Sequence, residues 1–311
     1  MWKLYPGLSR ERNDSPVSLF YQEIKQFPFK IGASMLKIAL TSYAMEEYSY
    51  VEALMFAAEN GFDAFEVNIF FPSIDLDNWN WNEIEALKKI SRDEEIEISV
   101  HAAFYELNMA AFLKGIREES VRYINKSIDF CHELGGEVVT VHPGKFTYGI
   151  EPGATPDTDP LMKIQWDHNI ESLKKINAHA ESKGITLCLE NLGWNDVSQS
   201  FEDMLKIRDE VGDSLKFTLD IGHARLNSKG GVEEGFRVLG DNIRHIHFTD
   251  NFGEEDDHLP IGEGNTDYSS FFHFIKDFPH VITLEVHVPG TDPNPILKSL
   301  EYFRKLESRY S

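Results

Sequence analysis

Six short apolar segments of this sequence each end in a histidine, an aspartate or a glutamate. The six residues are His101, His142, Glu190, Asp220, His247 and Glu285. Three carboxylates brought to one place would repel one another unless a cation held them. Imidazole together with carboxylate suits Zn²⁺, Mn²⁺, Co²⁺ or Fe²⁺ better than Ca²⁺. If the fold gathers these residues, the sequence predicts a divalent metal site.

Three further side chains with the same chemistry follow those segments within a short distance. His223 comes three residues after Asp220, and Asp256 and His258 lie in an acidic loop that leads into the Gly262–Gly264 turn. An acidic loop is usually only solvated. Here histidine and a Gly-x-Gly turn follow the acidic residues directly, a pattern that favours a loop that supplies metal ligands. We therefore expect these three residues near the same site.

The strand-end residues belong to a series of eight short segments rich in β-branched residues. The segments are Leu36–Leu40, Ala64–Asn68, Ile96–His101, Val138–His142, Thr186–Glu190, Lys216–Asp220, Ile243–His247 and Val281–Glu285. Their length of about five residues is ordinary for a strand. Longer segments with helical periodicity lie between them, among them one predicted over Tyr268–Phe278. Several of these end at glycine, which favours the position just past a helix.

Strict alternation of eight strands with helices predicts a parallel sheet, because parallel neighbours need a crossover helix. Eight units favour a single (β/α)8 TIM barrel over an open doubly wound sheet, and no glycine-rich nucleotide turn follows the first strand. We therefore expect no nucleotide cofactor. The carboxyl ends of all barrel strands meet on one face, where barrel enzymes place their active sites. The six strand-end residues should converge there, whereas His245, which alternates with His247, is expected to point away from the barrel axis.

The first 34 residues differ from the rest, because they are polar, turn-rich and without a strand pattern. Met35 opens directly into the first predicted strand. We expect a barrel domain over 35–311. The segment 1–34 would be an N-terminal extension, or the product of a start codon upstream of the native one.

The charge composition narrows the class of partner. The 311 residues carry 30 Lys and Arg against 52 Asp and Glu, a formal net charge of −22. Nucleic acid backbones and anionic membranes are bound through Lys and Arg, so neither partner is expected. No segment approaches the roughly 18 apolar residues of a membrane span, and no signal-peptide core opens the chain. Cys131 and Cys188 lie inside apolar elements, which is typical of a reduced, cytoplasmic protein.

The order of these motifs resembles the xylose-isomerase-like barrel superfamily, which includes sugar phosphate isomerases and epimerases and endonuclease IV. The resemblance covers essentially all of 35–311. The motifs that carry it are Ser-Val-His101-Ala-Ala, Thr-Val-His142-Pro-Gly, Cys-Leu-Glu190-Asn-Leu, Thr-Leu-Asp220-Ile-Gly-His223, His-Ile-His247-Phe-Thr, Asp256-Asp257-His258 and Thr-Leu-Glu285. The set is specific for the superfamily but not for one activity within it.

In the isomerase and epimerase branch, the resemblance implies one divalent ion (Mn²⁺, Co²⁺, Mg²⁺ or Zn²⁺) held by Glu190, Asp220, His247 and Glu285. The two glutamates would also move the substrate proton, and His223 would orient a substrate oxygen. A metal that bridges a carbonyl and the neighbouring hydroxyl acidifies the C–H between them and stabilises the enediolate. One carboxylate removes the proton, and the same or the other carboxylate returns it.

In the nuclease branch, nine ligands hold three zinc ions, and the resemblance supplies a counterpart for each of them here. They would be the six strand-end residues together with His223, Asp256 and His258. The number of ligands favours this branch. Charge opposes it, because Asp257 stands where that branch has arginine, and four of the rim loops contain no Lys or Arg. Backbone recognition requires clustered cations.

We therefore favour a divalent-metal-dependent isomerase or epimerase of a small sugar, sugar phosphate or hydroxy-keto acid. The alternative is an endonuclease IV-like multi-zinc phosphodiesterase that acts on abasic DNA, and a barrel that binds a sugar without converting it is a third. For the carbohydrate, Phe104 and Trp194 are candidates to pack against the apolar face of the ring. Lys145, near His142, is a candidate phosphate contact together with the Gly262–Gly264 turn.

Overall fold

The computed structural model describes residues 36–70, 74–147, 154–193 and 195–310. The predicted extension, 1–34, and the candidate substrate contact Trp194 lie outside the described residues. The boundary between extension and barrel domain therefore stays a prediction.

Eight parallel strands form a closed barrel in which each strand pairs with the next along the chain and the eighth pairs with the first. The strands are β1 (Lys37–Thr41), β2 (Ala64–Asn68), β3 (Glu97–His101), β4 (Val138–Val141), β5 (Thr186–Glu190), β6 (Lys216–Asp220), β7 (Ile243–Phe248) and β8 (Val281–Leu284). Each predicted segment matches its strand to within one residue at either end. The predicted (β/α)8 barrel is confirmed.

Helices lie between successive strands of the barrel. They are α1 (Tyr50–Glu59), α2 (Trp81–Asp93), α3 (Lys114–Leu134), α4 (Pro160–Lys183), α5 (Phe201–Val211), α6 (Ile221–Asn227), α7 (Gly231–Leu239), α8 (Phe272–Ile275) and, after β8, α9 (Asn294–Tyr310). Gly135 and Gly184 end α3 and α4 in the left-handed conformation that glycine favours. Among the described residues, no helix combines the length and apolar character needed to cross a membrane.

Two details of the helices differ from the sequence prediction. Helix α6 was not predicted; it starts directly after β6, where the Asp220 carboxylate accepts a hydrogen bond from the backbone N–H of His223. The helix predicted over Tyr268–Phe278 is instead a 3₁₀ turn, Tyr268–Ser270, followed by the four-residue α8. The Asp267 side chain accepts a hydrogen bond from the Ser269 amide and caps the start of this turn. Phe271, with φ at −124° and ψ at −8°, has a non-helical backbone and separates the turn from α8.

The interior of the barrel changes from apolar to polar along its axis. Near the amino ends of the strands, Ala39, Ala64 and Val281 form a small apolar cluster. Further along, polar side chains meet across the barrel, and the hydroxyls of Thr140 and Thr218 lie 2.8 Å apart. Barrel interiors are usually filled by Val, Ile and Leu. A polar interior that leads up to one rim indicates that this rim carries the chemistry.

Candidate metal centre

Four of the predicted ligands meet around the ring of His247 at the carboxyl ends of the strands. The Nδ1 atom of His247 lies 2.8 Å from Glu190 Oε1 and 2.9 Å from Glu285 Oε2. Asp220 Oδ2 lies 4.0 Å from the same nitrogen. All four residues are buried, and each offers one ligand atom within 4.8 Å of the others. We call these four residues the central cluster.

The other predicted ligands form two groups beside the central cluster. In the first, the Nε2 atoms of His101 and His142 lie 3.3 and 3.0 Å from Glu190 Oε2. In the second, the Nε2 atoms of His223 and His258 lie 3.0 and 3.2 Å from Asp256 Oδ2. The structure therefore brings all nine sequence-predicted ligands to one rim. Their roles as ligands stay a prediction.

The central cluster passes a simple test of fit for a divalent cation. Asp220 Oδ2 is buried and has no hydrogen-bond partner among the residues that the structure describes. Buried polar atoms are normally satisfied, and an unpaired carboxylate oxygen is especially costly. One imidazole nitrogen and three carboxylates form a donor set that suits a first-row divalent ion. The residues present fit the group that the sequence predicts.

Burial and charge act in opposite directions on the groups of this rim. Burial raises the pKa of Asp220 to about 7 and lowers the pKa of His142 to about 4. Burial also opposes ionisation of Glu190, but the charge of His247 and hydrogen bonds from three imidazoles hold the pKa of Glu190 well below its usual range. Burial would lower the pKa of His247, yet the surrounding carboxylates raise it well above the usual value. The buried carboxylates therefore stabilise a positive charge on His247, as the ligands of a cation site stabilise the cation.

The loop after β7 holds Asp256 and His258 in place by means of its own backbone. The carboxylate of Asp250 accepts hydrogen bonds from four amides of this loop at 2.9 to 3.1 Å, those of Asn251, Gly262, Gly264 and Thr266. The amides of the Gly262–Gly264 turn are therefore occupied, and the predicted phosphate contact of this turn is wrong. Lys145 itself is exposed and stays a prediction.

His258 has an unusual backbone for a non-glycine residue, with φ at 46°. Its Nδ1 lies 3.1 Å from the carbonyl oxygen of Glu285, and its own carbonyl accepts a 2.7 Å bond from the amide of His287. These bonds tie the loop to the end of β8 and direct Nε2 toward Asp256. Strained backbone that is held by its surroundings is common at functional sites.

Two of the predicted substrate contacts lie beside the first histidine pair. The ring of Phe104 is 4.4 Å from the ring of His142 and 5.3 Å from that of His101, measured between centroids. Phe104 and Lys145 line a small cavity together with His142. An aromatic ring and a cation therefore stand at the edge of the rim, where a polar ligand bound there would meet them.

The structure also corrects the predicted direction of His245 and adds a buried glutamate to the site. His245 points into the barrel, not away from it, because residues two apart in a strand share a face. Its Nε2 lies 2.9 Å from Glu66 Oε2. Glu66 was not predicted, although a glutamate in the apolar segment Ala-Phe-Glu-Val-Asn of β2 was a visible signal. Both side chains are fully buried.

Comparison with known proteins is consistent with this geometry. The family model described as xylose isomerase-like TIM barrel matches residues 54–306. The chain belongs to this family. It is 33% identical over 260 residues to Uncharacterized protein MJ1311 of Methanocaldococcus jannaschii. The aligned region covers 80% of this chain and 83% of the relative.

Relatives with an activity in their names divide between two chemistries. The chain is 27% identical over 221 residues to the Probable endonuclease 4 of Aquifex aeolicus, over 64% of this chain and 74% of the relative. It is 26% identical over 215 residues to the Fructoselysine 3-epimerase of Shigella flexneri, over 67% of this chain and 74% of the relative. Among solved structures, a D-tagatose 3-epimerase-like protein superposes with a TM-score of 0.75 at 28% identity, covering 88% of this chain and 98% of the other.

Proposed function

We propose that this protein is a divalent-metal-dependent epimerase that inverts the carbon next to the carbonyl of a ketose, free or phosphorylated. The observation that carries the proposal is the pair of buried glutamates, Glu190 and Glu285, placed on the same nitrogen of His247 at 2.8 and 2.9 Å. Similarity to a fructoselysine 3-epimerase and to a D-tagatose 3-epimerase-like protein supports C3 of a ketose as the reacting centre.

The central cluster would hold the ion, with Mn²⁺, Co²⁺, Mg²⁺ and Zn²⁺ as the candidates. When bound, such an ion acts as a Lewis acid that polarises the substrate carbonyl and so acidifies the neighbouring C–H. Because Glu190, Asp220, His247 and Glu285 are all buried, they would present their charges to the substrate without competition from bulk water.

The chain's own residues supply the proton transfer. Epimerisation removes a proton from one face of the carbon and returns one to the other face, so two bases are needed on two sides of the substrate. Glu190 ends β5 and Glu285 follows β8, strands that are not neighbours in the barrel. His223 would orient a substrate oxygen through Nε2, which lies 3.0 Å from Asp256 Oδ2 and would exchange this partner for the substrate. Its Nδ1 lies 3.0 Å from the carbonyl oxygen of Asn191, which fixes the ring.

The test of the proton transfer is exchange of the C3 hydrogen of D-fructose, D-tagatose and D-allulose with deuterated water. Glu190→Gln and Glu285→Gln should each abolish epimerisation, and each should abolish exchange of the epimer whose proton that glutamate removes. Glu181→Gln, at an exposed position on α4, should do neither. Metal content is measured on each variant, so that a lost base is distinguished from a lost ion. Normal exchange in both site variants would refute the assignment. A metal-loaded protein that binds these ketoses without exchanging them would favour a sugar-binding barrel.

One observation favours a second function, phosphodiester hydrolysis by several zinc ions. All nine ligands that the nuclease branch implies are brought to one rim, in three groups. The cations near that rim are partly committed elsewhere, since Arg225 bonds the β7 loop and Lys114 pairs with Glu118. This function predicts that the zinc-loaded protein nicks duplex DNA at an abasic position and that His101→Ala abolishes nicking. Absence of nicking by the zinc-loaded wild type would exclude it.

A further inference from the structure

A buried carboxylate lies inside the barrel, on the side of the His247 ring opposite to the carboxylates of the central cluster. Glu66 of β2 and His245 of β7 meet across the barrel, and both side chains have 0% exposure. Glu66 Oε2 is 2.9 Å from His245 Nε2 and 3.2 Å from the hydroxyl of Ser99, which donates to it. Thr283 also reaches this pair, with its hydroxyl 2.9 Å from His245 Nε2.

The second oxygen of Glu66 faces the ring of His247. Glu66 Oε1 lies 3.3 Å from His247 Nε2, while the opposite nitrogen, Nδ1, faces Glu190 and Glu285. The imidazole ring of His247 therefore has the Glu66 carboxylate at Nε2 and the Glu190 and Glu285 carboxylates at Nδ1. A neutral imidazole carries one proton, so the group at one nitrogen decides whether the other is free to act as a ligand.

The cost of burying Glu66 indicates that it has a purpose beyond filling space. A carboxylate that is fully removed from water is expensive, and an apolar side chain of similar size is often at least as stabilising in its place. The barrel interior could take Val, Ile or Leu at this position. Instead, His245, Ser99 and Thr283 surround the carboxylate with polar groups and hold one of its oxygens toward His247.

We propose that Glu66 is a positioning residue for His247. With the ion bound, Glu66 Oε1 accepts the Nε2–H of His247, so that Nδ1 is the unprotonated nitrogen directed at the ion, and His245 holds Glu66 in that position. Ligand histidines commonly donate their other ring N–H to a carboxylate, which fixes the tautomer and orientation of the ring. The inference rests on the proposed function, because it requires His247 to bind the ion.

The test compares metal affinity in wild type and Glu66→Gln, a substitution that keeps size and removes charge. Dissociation constants for Zn²⁺ and Mn²⁺ are measured by competition with a chelator. We expect Glu66→Gln to weaken binding on the order of 10- to 100-fold. Thr140→Val is the matched control, since it breaks the 2.8 Å bond to Thr218 in the same polar interior without contacting Glu66 or His247. It should lower the Tm of the metal-free protein and leave metal affinity unchanged.

A second measurement does not depend on a variant that folds. In the zinc-loaded wild type, the ¹⁵N resonances of the His247 ring should show a protonated Nε2 and a metal-bound Nδ1. A protonated Nδ1, or Glu66→Gln with wild-type affinity, would overturn the role of Glu66 while leaving the epimerase proposal intact. Failure of the wild type to bind any of the four candidate ions would contradict the proposed function itself.

Discussion

Replacing Asp220 by asparagine should stabilise the metal-free protein and abolish its stabilisation by metal. Asp220 has 0% exposure. Its Oδ1 accepts the 2.6 Å bond from the amide of His223 that caps α6, and its Oδ2 is buried with no hydrogen-bond partner in the described part of the chain. Asparagine can keep the capping bond and the volume while it removes the buried charge. A residue that matters only for folding would behave in the opposite way.

The size of the effect follows from the pKa of this carboxyl. Burial raises it from 3.8 to about 7. Between these two values the folded state binds more protons than the unfolded state, so the cost of ionisation is absent in acid and complete above pH 7. That cost is roughly 4 kcal/mol of unfolding free energy. At about 2 °C per kcal/mol for a chain of this size, Asp220→Asn should raise the Tm of the metal-free protein by up to roughly 8 °C at pH 8.

The assay is thermal unfolding at pH 8 in chelator and at saturating Mn²⁺, Co²⁺, Mg²⁺ or Zn²⁺. Metal at 100 times its dissociation constant should stabilise the wild type by about 2.7 kcal/mol, or roughly 5 °C. Asp220→Asn should lose this gain. Asp196→Asn is the control, because burial also raises the pKa of Asp196, to about 6, and Asp196 is not in the central cluster. A destabilised metal-free Asp220→Asn, or one with the wild-type metal gain, would refute the reasoning.

Three further predictions concern the stability of variants, two in the contacts of the loop after β7 and one in α3. Gly264→Ala should lower the free energy of unfolding in urea by more than about 2 kcal/mol, because its Cβ would clash with Asp250 Oδ1 and would lie 2.5 Å from the carbonyl oxygen of Asn251. Gly115→Ala, at the second position of α3 with open space around the Cβ, should instead raise it, by less than about 1 kcal/mol. Arg225→Gln should lower the Tm by roughly 4 °C, because Arg225 donates to Asn251 and to Thr266 in this loop. An unchanged Tm in Arg225→Gln, or a Gly264→Ala as stable as Gly115→Ala, would show that these loop contacts contribute little.

The strands and the rim were predictable because local patterns determine both. A run of β-branched residues indicates a strand, and a barrel brings the carboxyl ends of all its strands to one face. The positions of His101 and Glu285 therefore followed from where their segments end. Helix α6 was missed because Asp220 is both the end of β6 and the cap of the helix, so no turn or spacer separates the two elements.

The pairing of Glu66 with His245 depends on contacts between distant parts of the chain. Glu66 and His245 are 179 residues apart in sequence and meet only because the barrel closes. The direction of His245 is a local property: residues i and i+2 of a strand share a face, so His245 points into the barrel together with His247, contrary to the expectation stated from the sequence. The Gly262–Gly264 turn does bind an anionic group through its amides, but the group is the carboxylate of Asp250 in the same chain.

The most direct test of the central claim is incorporation of deuterium at C3 when the metal-loaded wild type converts a ketose in deuterated water. D-fructose, D-tagatose and D-allulose, each free and as its 6-phosphate, are incubated with the protein, and the recovered sugars are analysed by mass spectrometry and NMR. The account predicts that at least one of them yields its C3 epimer with a single deuterium at C3, and that a chelator stops the reaction. Stoichiometric bound metal with neither epimer nor deuterium at C3 in any of the three sugars would contradict the account.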